Sequence, residues 1–204
     1  MRNKDKIYEM EIAKRIYDTD YKKLQLLNLQ SDDWLIAIGY LERRLNERYI
    51  EPVEILIDSE KGKTAIDKKF GFTILAIDCL LAEAIQSFYD GITESKGKSR
   101  VLFVKFLRER SGFRNHFLTN SDAQEFYDNF RCGILHQGQT FGDTKVWAVG
   151  QLIEKRGKCM IVNREEFHNR INEEFKIYIA ELRKRQDYIL LNNFKQKMDF
   201  ICGL

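Results

Sequence analysis

Residues 120–140, NSDAQEFYDNFRCGILHQGQT, carry the pattern from which the fold can be read. Asn120 or Ser121 can accept from the first free amides of a helix, and Gln124 stands three residues after Ser121, the spacing of a capping box. Asp122 and Glu125 place negative charge in the first turn, where the helix dipole favours it. Phe126, Phe130 and Ile134 recur every four residues and form one apolar face. Gly138 supplies a left-handed stop.

Within this frame stand Arg131 and His136. An arginine keeps its charge and a histidine exchanges a proton near neutral pH. Phosphodiester cleavage needs both a fixed cation and a group that moves protons. The same two residues near a helix end also fit a dipole partner and a surface side chain. Five positions apart on an ideal helix they diverge by about 140°, so they meet only if the arginine reaches around or the helix distorts.

The string Phe130-Arg131-Cys132-Gly133-Ile134-Leu135-His136, late in a helical chain, resembles the signature of the HEPN superfamily. That resemblance implies a helical bundle and catalytic roles for Arg131 and His136. It further implies a metal-independent endoribonuclease of the toxin or antiviral-defence type. Its substrate would be RNA, attacked through the 2′-hydroxyl, and its working form a homodimer with two signatures facing one cleft. A defence-system or inhibitory protein would be its further partner, and no cofactor is called for. Active members often carry Asn, Asp or His directly after the arginine, where Cys132 stands here. Other members are non-catalytic modules, so a helical domain that binds protein or nucleotide is the second function class.

Composition agrees with a helical fold. Pro52 is the single proline of 204 residues, as long uninterrupted helices require. The net charge of +3 neither announces nor excludes a nucleic-acid binder. Cys79, Cys132, Cys159 and Cys202 are scattered, and with only His116, His136 and His168 no metal-ligand spacing arises. Unpaired cysteines, charged opening residues and the lack of any apolar run near about 18 residues predict a cytoplasmic protein away from membranes.

Taken in order, 1–204 reads as a single domain with an N-terminal helical extension over 1–50. Its first helix runs from about Lys6 to Asn28, and a second from Ser31 until Pro52 ends it, with Arg43, Arg44 and Arg48 on a solvated face. The core spans 66–140. Phe70 to Ile92 is its most hydrophobic helix, interrupted by Asp78 and Glu83, either of which could orient Arg131 or His136 or simply pair with another base. In 145–163 the period changes to that of strands, Lys145–Val149 and Lys158–Val162 forming a β-hairpin around a Lys155-Arg156-Gly157 turn. A long helix then fills 164–202, capped by Asn163. At roughly 35 residues it either breaks or packs on a second chain.

Overall fold

The computed structural model describes residues 9–204. Helix α4 (Gly71–Tyr89) is the centre around which the others pack, and α5 (Ser99–Glu109), α8 (Arg164–Lys184) and α9 (Tyr188–Ile201) lie directly against it. Its apolar residues cover more than one face, and Ile74, Leu75, Leu81, Ala82 and Ile85 are sealed from solvent. By length and composition α4 would pass for a membrane span, contrary to the expectation that no segment approaches one. More than half of it is buried inside this fold. Gly91 ends the segment in a left-handed conformation, φ 63°, with the Ile92 amide returning to the Ser87 carbonyl.

The N-terminal region departs from the expected first helix. Positions 6–8 lie outside the described residues. Beyond them, β1 (Glu11–Ala13) and β2 (Ile16–Tyr17) make a small antiparallel hairpin, followed by the short α1 (Asp18–Lys22). The three arginines assigned to a solvated face hold this hairpin. Arg43, Arg44 and Arg48 donate to the carbonyls of Lys14, Ile12 and Glu11, at 3.0, 2.8 and 2.6 Å. Carbonyls that a two-stranded edge leaves unpaired are thus satisfied by guanidinium groups. Nor does this region sit outside the core, because Ile12, Trp34, Ile38 and Leu41 join the same hydrophobic cluster as α4 and α9.

Pro52 does not end the second helix. Helix α2 (Asp33–Leu45) widens into a π-helical turn (Asn46–Ile50) and continues as α3 (Glu51–Asp58), with Pro52 in the first turn of α3. The wide turn carries the preceding carbonyls away from the proline ring, which removes the usual clash.

The expected hairpin partners are instead parallel neighbours. Strands β3 (Thr144–Trp147) and β5 (Cys159–Asn163) run parallel, and β4 (Ile153–Arg156) pairs antiparallel on the far side of β5, giving the order β3-β5-β4. The hairpin exists, but it joins β4 to β5 through Gly157 at φ 64°. The chain can return for a parallel pairing because Gly150, at φ 95°, turns it before β4. Asn163 holds that turn by donating to the Gly150 carbonyl at 2.7 Å, and its side-chain oxygen caps α8. The C-terminal helix breaks at Arg185, φ 54°, and Asp187 caps α9.

Candidate functional site

The signature segment is held at its start by Thr119, one residue before the expected caps. Its hydroxyl accepts from the Asp122 amide while the Asp122 carboxylate accepts from the Thr119 amide. Helix α6 (Asn120–Phe126) opens into a π-helical turn (Tyr127–Cys132) and closes as α7 (Gly133–Gln137), with Gly138 left-handed at φ 66°. The predicted apolar face is the one buried: Phe126 and Phe130 stack at 4.5 Å, and Phe126 lies parallel to Phe167 of α8 at 5.5 Å. With this face locked by aromatic packing, the opposite side carries Arg131 to the rim of the fold and His136 into solvent.

The two side chains meet. Arg131 Nη1 lies 3.4 Å from His136 Nε2. Arg131 sits in the widened turn, where each residue advances the chain by a smaller angle, and its long side chain spans the remaining gap. Because a guanidinium only donates, Nε2 is the accepting nitrogen of this contact and the imidazole proton belongs on Nδ1. Gly133, between the two, admits the segment that folds back after α7. A Cβ there would lie 2.5 Å from the Gln139 carbonyl oxygen and 3.0 Å from the Thr140 Cα.

Behind the pair, Glu83 of α4 accepts from Arg131 in a two-pronged contact, Oε1 to Nε at 2.6 Å and Oε2 to Nη2 at 3.3 Å. Both side chains are largely enclosed, at 12% and 15% exposure, whereas His136 is open to solvent. Burial works against the charge of Arg131, but Glu83 outweighs it and raises the guanidinium pKa. The ring of Tyr127 flanks the site, with the guanidinium groups of Arg131 and Arg100 at 5.4 and 5.3 Å from its centre. Burial pushes the Tyr127 hydroxyl up to about 12, against the opposing pull of Arg131. On the other side of Glu83 lies a hollow of about 250 Å³, into which Arg44, Tyr49 and Lys197 also face.

Of the two acids on α4, then, Glu83 reaches the motif and Asp78 does not. Asp78 is fully buried and bonds His168 of α8, Oδ1 to Nδ1 at 2.8 Å. Burial raises its carboxyl to about 6, with His168 pulling the other way. Cys132 supports no histidine. It packs against the core beside the Tyr127 hydroxyl. No protein-family model, curated protein or solved structure matches this chain. Its chemistry rests on its own residues.

Sequence reasoning passed over Tyr127 and His168. For His168 the signal was present, since 168, 171, 175, 178 and 182 continue one apolar stripe and place the imidazole on its buried side. Tyr127 gave none, because only the wide turn brings it beside Arg131.

Proposed function

We propose that this protein is a metal-independent endoribonuclease of the HEPN type. One observation carries the reading: an accessible imidazole and an always-charged guanidinium lie 3.4 Å apart, with the guanidinium held from behind by a carboxylate. His136 takes the proton of the ribose 2′-hydroxyl through Nε2, or delivers one to the 5′-oxygen that leaves. Arg131 binds the scissile phosphate and offsets the charge that builds on its oxygens in the five-coordinate transition state. Products are a 2′,3′-cyclic phosphate and a 5′-hydroxyl, and DNA, lacking the nucleophile, is inert. One histidine serves poorly as both acid and base in a single pass, so two copies facing across a two-fold axis belong to the proposal. A defence or toxin role, with a restraining partner protein in the cytoplasm, is the setting in which such an activity is kept in check.

A second reading draws on the same carboxylate. Glu83 occupies two of the arginine's three nitrogens, an arrangement that also suits a purely structural arginine in a protein- or nucleotide-binding module. RNA incubated with the wild type in EDTA separates the two. Under the nuclease reading, His136→Ala and Arg131→Ala each lower cleavage by about 10² to 10³-fold. Glu83→Gln, which keeps the site's shape but loosens the arginine, lowers it by about tenfold. Absence of cleavage by a folded wild-type dimer, or equal cleavage by His136→Ala, removes the nuclease and leaves the binding module.

A further inference from the structure

A cavity of about 610 Å³ lies at the opposite end of α4 from the motif, between the start of that helix and β3. Twelve residues of helix, roughly 18 Å, separate Gly71 at its wall from Glu83. Its apolar lining comes from Phe72, Val146, Trp147 and the exposed Ile66. One surface of the Trp147 indole is taken by the Arg156 guanidinium, 4.9 Å from the ring. Val146 turns toward Gly71, so Trp147, next to it in β3, shares the other face of the sheet with Arg156, and the aromatic residue left at the cavity wall is Phe72.

The polar groups at this cavity are unevenly matched. Lys68 is paired with Glu165 at 2.7 Å, and Arg164 is paired with Glu60. Arg164 is 2% exposed, yet its Nε has no acceptor among the described residues. Lys69 is exposed and has no acidic partner within 4.0 Å among the described residues, so the walls keep one positive charge in excess. No side chain caps α4 at Phe70, so the first-turn amides of Gly71 and Phe72 keep their donors at the wall. Gly71 matters for access: a Cβ there would stand 3.1 Å from Val146 Cγ1 and 3.6 Å from Arg164 Nη1.

We propose that this cavity binds a small planar aromatic molecule bearing one carboxylate or phosphate, with its ring among Ile66, Phe72 and Val146 and its anionic group between Lys69 and the start of α4. The volume suits a compact organic ligand. The proposal is independent of the nuclease reading.

Calorimetric titration of the full chain with four probes tests it: 2-naphthoate, 1-naphthyl phosphate, octanoate and 2-naphthol. At least one of the first two binds about tenfold more tightly than both octanoate, which lacks the ring, and 2-naphthol, which lacks the charge. Which of the two wins identifies the anion. Lys69→Glu, at an exposed position that leaves folding intact, weakens that binding by at least about tenfold, and Ala65→Phe blocks it by filling the cavity. The proposal falls if neither aromatic anion binds at millimolar concentration. It falls equally if octanoate or 2-naphthol binds as well as they do, or if Lys69→Glu leaves binding unchanged.

Discussion

Helix α4 presents two acids five residues apart, and each has recruited a base under opposite conditions. Asp78 and His168 are shut in the interior, at 0% and 1% side-chain exposure, and each leaves one atom, Oδ2 and Nε2, without a partner among the described residues. Glu83 and Arg131 sit at the rim, where both carboxylate oxygens are used and the arginine still reaches His136 in the open. The sealed pair cannot meet a substrate, so it acts on stability. The rim pair can do chemistry because its far end is wet.

The comparison predicts unequal costs of cutting each pair. Asp78→Ala leaves a buried imidazole without its partner and a void beneath it, and costs about 4 kcal/mol of unfolding free energy. Glu83→Ala leaves Arg131 free to turn toward water, and costs about 1.5 kcal/mol. Urea unfolding of both variants at pH 7 reads the difference. Equal losses would mean that burial does not distinguish the two acids.

The next effect is local to the rim. Gly133→Ala forces the return segment at Gln139 and Thr140 outward, because a Cβ would sit 2.5 Å from backbone that cannot rotate away. It costs about 2 kcal/mol and separates Arg131 from His136. The same substitution at Gly138 meets open space but a φ of 66°, so it weakens the stop of α7 without crowding the pair. Unfolding curves, with RNA cleavage in EDTA per folded molecule as the readout under the nuclease proposal, tell them apart: on that proposal Gly133→Ala loses both, whereas Gly138→Ala loses stability alone.

These particulars show where the sequence was legible. The four-residue recurrence of Phe126, Phe130 and Ile134 gave the buried face of the signature segment directly, and the density of apolar residues from 70 to 92 gave the central helix. Periodicity reports which side faces inward, and both elements are governed by that question. It is blind to an inserted residue. The π-helical turns at Asn46–Ile50 and Tyr127–Cys132 therefore went unseen, and with them the passage of Pro52 through a helix and the approach of Arg131 to His136. Strand pairing was ambiguous for a similar reason. Two short apolar runs with a Gly turn between them announce a hairpin, and only the turn at Gly150 decides that β3 pairs in parallel with β5. The choice between Asp78 and Glu83 depended on which neighbour each would meet, information held in α8 and not in the acid's own surroundings in sequence.

The last effect is a slope. Burial lifts Asp78 to about 6 from the ordinary carboxylate value of 3.8. Between those limits the unfolded chain has released this proton while the fold still holds it, so the folded state binds more protons and stability declines as the pH rises. The contribution is complete below about pH 4 and is lost as the pH passes 6, by at most about 1.4 kcal/mol per pH unit. Asp78→Asn has no proton to lose and flattens that part of the curve, while Glu83→Gln leaves the decline in place. Unfolding free energies at half-unit steps from pH 4 to 7 for the three proteins read it directly. A wild-type curve that rises over this interval, or an Asp78→Asn curve with the wild-type slope, would show that the buried acid is already ionised in the fold and that enclosure alone does not set the two carboxylates apart.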